Sequence, residues 1–221
     1  MITLHHLNNS RSQRILWLLE ELGLEYEVKR YERDKVTMFA PPELKKIHPL
    51  GKSPVITDGG EVIAESGAII EYLVEKYGHG RLKPRTGTKE ALKYSFWLHF
   101  AEGSAMTPLL FTLVFNKIES SPVPFFIKPI IKTLCAKVRN SFITPNLEGN
   151  FGFIESELGK TEWFAGSEFS AADVQMSFPL EAALTRGAEK VGPKSTAFLK
   201  NIHARPAYKK ALERGGEYSI L

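Results

Sequence analysis

The hydrophobic pattern changes its period along this chain, and that change constrains the fold more than any other feature. Up to residue 77, short strand-like runs alternate with segments in which apolar residues recur at helical spacing. Beyond residue 88 only the helical spacing recurs, interrupted by polar or proline-containing breaks. The chain is therefore predicted to have an α/β part followed by an all-helical part.

The first element pair is a buried strand and a helix joined by a polar turn. Residues 2–7 are typical of a buried strand. Ser10, followed three residues later by Gln13, matches a capping box, and Gly23 is a stop signal for the helix that follows. We therefore expect the order strand, turn, helix, with Ser10 at the helix start.

The rest of this part predicts a small mixed sheet. Asp58, Gly59 and Gly60 tolerate the positive φ angles of a tight turn, and apolar runs flank them, so a β-hairpin is expected here. A helix is predicted to begin near Ser66. The other predicted elements are a half-buried strand at 26–29 and a helical turn at 42–47. The order βαβ, short helix, ββ, α resembles the thioredoxin-like fold.

Glycines, a proline and charges without apolar periodicity mark residues 79–88 as a linker. We therefore predict one domain at 1–78 and an all-α domain at 89–221. Within the second domain, Ser170 and Asp173 form another capping pattern at the start of a helix.

Composition excludes several functional classes. Hydrophobic residues make up 43% and charged residues 24%, which is typical of a folded globular protein. The 29 basic and 25 acidic residues are mostly interspersed, which disfavours a nucleic-acid-binding protein. Cys135 is the only cysteine, so no internal disulfide can form and a reducing cytoplasm is expected. We also expect no integral membrane segment and no secretion signal.

One stretch, residues 128–139, alternates basic with apolar side chains. Two interpretations remain open: a helix with one solvated and one buried face, which we favour, and a helix lying on a membrane surface.

Three segments together resemble the glutathione transferases. They are SRSQRI at 10–15, HPLGKSPV at 48–55 and ESGAI at 65–69. They occur in the order expected for the family, ahead of an all-helical second half, and are most similar to a serine-type branch found in fungi and bacteria. The resemblance implies a thioredoxin-like glutathione-binding domain followed by an all-α domain, and a homodimer.

The resemblance also implies an activity, which is conjugation of the glutathione thiolate to small hydrophobic electrophiles in detoxification, with glutathione peroxidase activity as a further expectation. Glutathione would be a substrate, and no metal is expected because the histidines show no ligand spacing. Two alternatives stay open. One is a transferase-like binding or interaction module without conjugating activity, and the other is glutathione-dependent reduction or isomerisation.

Ser10 is the candidate catalytic residue. A thiol with a pKa near 8.5 is mostly protonated at neutral pH, whereas the thiolate is the nucleophile. A helix N-terminus and a hydroxyl donor both stabilise an anion. The resemblance places the catalytic hydroxyl four residues before Arg14, which selects Ser10. Ser12 and Asn9 are the alternatives, and a plain helix cap would also explain Ser10.

The remaining site residues follow from the resemblance. Pro54 is expected to be a cis-proline that lets the backbone of Ser53 pair with the cysteinyl part of glutathione. Ser66 and Glu65 are expected to bind the carboxylate and the ammonium of the γ-glutamyl group. The candidates for the glycyl carboxylate are Lys52, Arg11 and His48. Candidates for an electrophile pocket are Trp97, Phe100 and Met106, although such residues at helical spacing more often belong to a core.

Overall fold

The computed structural model describes residues 1–216, 218 and 219. The N-terminal part is a four-stranded sheet in the order β2-β1-β3-β4, in which β1 runs parallel to β2 and antiparallel to β3, and β3 runs antiparallel to β4. Its strands are β1 (Ile2–Leu7), β2 (Tyr26–Tyr31), β3 (Val55–Asp58) and β4 (Glu61–Ala64), and its helices are α1 (Ser12–Leu22), α2 (Glu43–Ile47) and α3 (Ser66–Tyr77). The predicted thioredoxin-like arrangement is thus confirmed.

The predicted hairpin is confirmed, and its turn shows why glycine is needed there. Gly59 and Gly60 have φ angles of 59° and 96°, a region that residues with a Cβ adopt at a cost. Strands β3 and β4 pair directly on either side, with Asp58 opposite Glu61. The last predicted element of this part, α3, begins at Ser66 as expected.

The predicted capping box at Ser10 and Gln13 is wrong. Helix α1 begins at Ser12, and Arg11 occupies the cap position without a side-chain hydrogen bond to the helix. The amide group of Gln13 is buried and finds no partner among the described residues. The Gln13 side chain lies against Gly215, which leaves room for it because it has no side chain. A Cβ at position 215 would lie only 2.7 Å from Gln13 Oε1. Packing against the C-terminal helix therefore takes Gln13 away from the cap.

The remainder of the chain is mostly helical, as predicted. Its helices are α4 (Lys89–Phe100), α5 (Met106–Glu119), α6 (Lys128–Val138), α7 (Thr144–Leu158), α8 (Ala171–Arg186), α9 (Pro193–Ala204) and α10 (Pro206–Gly215). Single π-helical turns at Ala101–Ala105 and Arg139–Ile143 join α4 to α5 and α6 to α7. One hydrophobic core extends from β1 to α10. The division into domains at 79–88 stays a prediction.

Pro108 lies near the start of α5, and the chain passes it without breaking the helix. Proline has no N–H to donate to the carbonyl four residues earlier, which leaves the carbonyl of Ser104 free. Asn150 Nδ2 on α7 donates to that carbonyl at 2.9 Å. The π turn before Pro108 and this side-chain bond together let residues 89–119 continue as one helix.

That continuous helix, Lys89–Glu119, is long and apolar enough to cross a membrane by length and composition alone. It is also a core helix, since Trp97, Ala101 and Leu109 are each at most 1% exposed. A core helix of a soluble protein passes the same test of length and composition, so this finding is weak support for a membrane span.

Helix α8 is the central helix of the second half, and every side chain from Ala171 to Ala183 is buried. Its predicted capping box is present. The Asp173 carboxylate accepts hydrogen bonds from the N–H of Ser170 at 2.8 Å and from the N–H of Phe164 at 2.8 Å. Burial raises the pKa of Asp173 to about 7, and these bonds offset part of that rise.

Candidate functional site

The turn between β1 and α1 brings two buried hydroxyl groups together. Ser10 Oγ donates to the carbonyl of Leu7 at 2.8 Å and lies 2.7 Å from Ser12 Oγ. The N–H of Ser12 donates back to Ser10 Oγ at 3.2 Å. Asn9 has a φ of 47°, which gives the turn its tight bend. Ser10 and Ser12 therefore share one group of hydrogen bonds at the N-terminus of α1.

His6 completes this group from the end of β1. Its Nδ1 lies 2.8 Å from Ser12 Oγ, and the ring also bonds to the backbone of Gly215. Burial, assisted by the positive charge of Arg30, lowers the pKa of His6 to about 4, so the ring is neutral at pH 7. A neutral ring that donates to the Gly215 carbonyl has Nδ1 free to accept. The Ser12 hydroxyl is then the donor to His6.

The predicted cis peptide bond between Ser53 and Pro54 is present. Ser53 Oγ donates to the carbonyl of His5 at 2.9 Å and accepts from the N–H of Leu7 at 3.2 Å. Both partners belong to β1, so this side chain fixes the bend of the cis-proline loop beside the strand that leads into the Ser10 turn.

Glu65 and Ser66 lie at the start of α3. Glu65 is exposed and has a φ of 70°, a strained conformation for a residue other than glycine, whereas Ser66 is buried. Arg14 Nη2 on α1 donates to Ser66 Oγ at 3.1 Å. A direct hydrogen bond thus joins the first and the third of the three sequence segments described above.

Arg14 is buried, and three different helical segments bind its two Nη atoms, whereas its Nε has no partner among the described residues. Nη1 donates to the carbonyl of Gln175 at 2.6 Å, and Nη2 lies 2.5 Å from Glu102 Oε1. The Gln175 carbonyl is available because Pro179, four residues later in α8, has no N–H to donate to it. Burial lowers the pKa of Arg14, and the negative charge of Glu102 opposes that effect.

Glu102 lies in the π turn between α4 and α5, where it binds two arginines. Arg11 Nε donates to both of its oxygens, at 3.1 and 3.0 Å, and Arg14 binds one of them. Burial raises the pKa of Glu102, but the positive charges of Arg14 and Arg11 outweigh it and the net shift is downward. Glu102 is therefore ionised at pH 7.

The other predicted residues are more scattered. His48 is half-buried and Lys52 is exposed, both on the loop that leads into Pro54. Trp97 and Met106 are 1% and 3% exposed and belong to the hydrophobic core, whereas Phe100 is half-buried. Among the three pocket candidates, only Phe100 has appreciable exposed surface in this single chain.

Sequence reasoning missed three residues that organise this region: His6, Glu102 and Gln175. A signal existed for Glu102, because it is the only acidic residue between Glu90 and Glu119 in an otherwise apolar helix. A carboxylate there needs a partner if it is buried. For His6 and Gln175 the pattern carried no comparable signal, since their partners are remote along the chain.

Comparison with known proteins agrees with this geometry. A profile described as "Glutathione S-transferase, N-terminal domain" matches residues 1–75. Glutathione S-transferase 3 of Schizosaccharomyces pombe is 38% identical over 97% of this chain and 88% of its own length.

Two solved structures are also similar. A glutathione S-transferase from Actinobacillus pleuropneumoniae is 37% identical and aligns with a TM-score of 0.79 over 97% of this chain and 93% of its own. A Phanerochaete chrysosporium glutathione transferase, solved in complex with oxidized glutathione, is 26% identical and aligns with a TM-score of 0.75 over 97% and 96%. Because the Schizosaccharomyces pombe relative is 38% identical over 97% of this chain, the chain belongs to the glutathione S-transferase family of enzymes.

Proposed function

We propose that this protein conjugates the thiol of glutathione to small hydrophobic electrophiles, with Ser10 donating a hydrogen bond to the thiolate. The observation that carries the proposal is the convergence of three segments. Ser53 is bonded to β1 beside the Ser10 turn, and Ser66 is bonded to Arg14 in the helix that the turn begins. The turn ends at the N-terminus of α1, whose backbone N–H groups favour an anion.

Ser10 must turn its hydroxyl to perform this role. In the structure that hydroxyl donates to the Leu7 carbonyl, and a bound thiolate would take its place as acceptor. Ser12 Oγ also lies 3.2 Å from the Leu7 carbonyl, but its single proton is donated to His6, so the carbonyl would lose its hydroxyl donor when the thiolate binds. Rotation of Ser10 about one side-chain bond between staggered positions then exchanges one hydrogen bond for another.

Glutathione would lie along the three segments, with its cysteinyl backbone on Ser53 beside Pro54. Ser66 and Glu65 would hold the γ-glutamyl group, whose charges match a helix N-terminus and a carboxylate. The glycyl carboxylate would meet basic side chains on the loop or the turn, for which the candidates are Lys52, His48 and Arg11. The Phanerochaete transferase, which binds oxidized glutathione, supports a tripeptide ligand of this kind.

We also propose a cytoplasmic homodimer that acts in detoxification. An exposed apolar stripe along the helix from 89 to 119 supports the dimer. It comprises Leu92, Phe96, Leu110 and Val114, which are 75%, 45%, 54% and 44% exposed. Large exposed stripes of this kind are usually covered in an oligomer. Phe100 borders the same surface, and together with the core residues Trp97 and Met106 it remains the candidate wall of an electrophile pocket.

Two measurements on the purified protein test the conjugating function. Calorimetry with glutathione should show binding, and conjugation to 1-chloro-2,4-dinitrobenzene should proceed faster than in buffer. Ser66→Ala should weaken glutathione binding by roughly 1.5–3 kcal/mol, the usual contribution of a hydrogen bond to a charged group. Binding without conjugation to any aromatic electrophile would favour the alternative of a binding module, and reduction of cumene hydroperoxide would identify the peroxidase activity.

A further inference from the structure

The helical part has a projecting tip that the proposed conjugation chemistry does not use. This tip, residues 120–134, consists of the loop after α5 and the first turns of α6. Arg139, just after α6, donates to Glu119 at the end of α5 at 2.9 Å, and the rings of Phe142 and Phe111 are 5.5 Å apart. The end of α5 thus lies beside the C-terminal end of α6. The first turns of α6 therefore extend about 10 Å beyond it, at 1.5 Å per residue.

Large apolar side chains on the tip are directed into solvent. Phe125 is 83% exposed, Phe126 64%, Ile130 67% and Leu134 60%. The two phenylalanines contact each other edge to face, with ring centroids 5.7 Å apart. Contiguous apolar surface of this kind is uncommon on a soluble protein unless it binds something.

The charge around the tip is predominantly positive. Between residues 103 and 147 the only acidic residue is Glu119, which Arg139 neutralises. The same segment contains four lysines, which are Lys117, Lys128, Lys132 and Lys137. In the part of the chain that the structure describes, none of these lysines forms a salt bridge with a carboxylate. Outside this segment basic and acidic residues are equal in number, so the segment carries the whole net charge of +4.

We propose that the tip docks on the surface of an anionic phospholipid bilayer. Phe125 and Phe126 would enter the boundary between headgroups and acyl chains, where the apolar side chains of peripheral proteins are buried. Lys128 and Lys132, in the first two turns of α6, would contact the lipid phosphates and carboxylates. The core helices stay in the fold in this arrangement, so the attachment is peripheral and the helix from 89 to 119 does not cross the membrane.

Two other binding partners match the tip less well than an anionic membrane does. A second copy of the chain that met it symmetrically would bring the same lysines face to face, and like charges repel. A nucleic acid would match the positive charge but not Ile130 and Leu134, since aliphatic side chains offer no stacking surface to bases.

Vesicle co-sedimentation of the full chain tests the proposal. Vesicles of phosphatidylcholine alone are compared with vesicles that also contain phosphatidylserine, at low and at high salt. We expect binding to the anionic vesicles only, and weaker binding at high salt. Lys128→Glu with Lys132→Glu should lower the partition coefficient at least about tenfold, since each lysine near the surface contributes roughly fivefold. Phe125→Ser with Phe126→Ser should also lower it.

The matched controls are Lys209→Glu and Phe39→Ser, which change exposed residues elsewhere and should bind like the unchanged protein. All variants alter exposed side chains, and melting temperatures verify their folding. Tip variants that bind anionic vesicles as well as the controls would overturn the proposal, as would equal binding to neutral vesicles. The proposal would also be wrong if the tip variants changed the sedimentation mass or the binding of a single-stranded oligonucleotide instead. None of these outcomes depends on conjugating activity.

Discussion

Ser10 and Ser12 share one set of hydrogen bonds, so a change at either hydroxyl also alters the partners of the other. Neutral His6 accepts from Ser12, and this leaves the Ser10 hydroxyl to donate to the Leu7 carbonyl or to a ligand. The two serines therefore have different predicted roles, although both lie in the same turn. Ser10 would act on the thiol, and Ser12 would orient Ser10.

Ser10→Ala should raise the pKa of the bound glutathione thiol, because the thiolate loses a donor. The rate of conjugation should fall roughly 10- to 1000-fold, with the lower end expected since the N-terminus of α1 remains. Thiolate absorbance as a function of pH measures the pKa. If Ser10→Ala leaves it unchanged while Ser12→Ala or Asn9→Ala shifts it, another residue contacts the thiol. A loss of about 1 kcal/mol in stability alone would identify Ser10 as a structural turn residue.

His6 should make stability depend on pH below neutrality. Its pKa is about 4 in the folded chain and about 6.5 in the unfolded chain, so the unfolded chain binds a proton first as the pH falls. The contribution of His6 to the free energy of unfolding should therefore decrease between pH 6.5 and pH 4, by roughly 3 kcal/mol at most, whereas the raised pKa of Asp173 gives a contribution of opposite sign. In urea titrations across this range, the change in the free energy of unfolding on acidification should be more positive for His6→Gln than for the unchanged protein. The exposed His79→Asn is the control, and an equal slope in all three would contradict the assignment.

At the scale of elements, two prolines inside helices create polar contacts between segments. Pro108 frees the carbonyl of Ser104 for Asn150, and Pro179 frees the carbonyl of Gln175 for Arg14. In the second case the freed carbonyl and Glu102 together hold a buried guanidinium that also reaches Ser66. A proline in α8 is in this way connected to the predicted γ-glutamyl site on α3.

Glu102→Gln should destabilise the fold and weaken glutathione binding together. It leaves the buried Arg14 without its counter-charge, which for a fully buried pair costs about 3–5 kcal/mol. Because Glu102 is 34% exposed, we expect about 1–3 kcal/mol. Glu119→Gln is the matched control, since its partner Arg139 is 31% exposed whereas Arg14 is 1% exposed, and it should cost less than about 1 kcal/mol. Urea denaturation and calorimetry measure the two effects, and equal stability of both variants would argue against the role of Glu102.

Asp173→Ala should lower stability by at least about 2 kcal/mol, because it leaves the buried N–H groups of Phe164 and Ser170 without an acceptor. Asp34→Ala is the control. Asp34 accepts a comparable set of hydrogen bonds from Val36 and Thr37, but on an exposed loop where water can replace it. Melting temperatures compare the two. A native melting temperature with lost activity in Asp173→Ala would instead indicate a catalytic Asp173.

On the scale of the whole molecule, the apolar stripe on the long helix and the basic tip are separate surfaces with different predicted partners. The stripe carries no lysine between Leu92 and Val114 apart from Lys93, which is 4.0 Å from Glu157. The tip combines apolar and basic side chains. A protein with both surfaces can dimerise through the first and leave the second free.

Equilibrium sedimentation at micromolar concentration should therefore give about twice the mass of one 24.8 kDa chain. Leu92→Glu should shift the mass toward one chain, because a charge replaces an apolar group that is 75% exposed in the single chain. Phe39→Ser, outside the stripe, is the control. A mass of one chain for the unchanged protein would refute the dimer.

Local rules determined much of this protein from sequence alone. The β3–β4 hairpin follows from two glycines that accept positive φ, and the start of α8 follows from the capping box of Ser170 and Asp173. Each of these features depends on residues within a few positions of one another. The alternation of strand and helix periods likewise predicted the fold class before any contact was known.

Only the tertiary structure decided the contacts that span the chain. Gln13 satisfies the local pattern of a capping box, but packing against Gly215 prevents it from forming one. Arg14 finds Glu102 and Gln175, which lie 88 and 161 positions away, and a periodic pattern carries no information about such pairs. Burial is what couples them, because a guanidinium removed from water needs its partners wherever the fold places them. The sequence therefore predicted which residue types form the candidate site, whereas only the fold determined which of them contact one another.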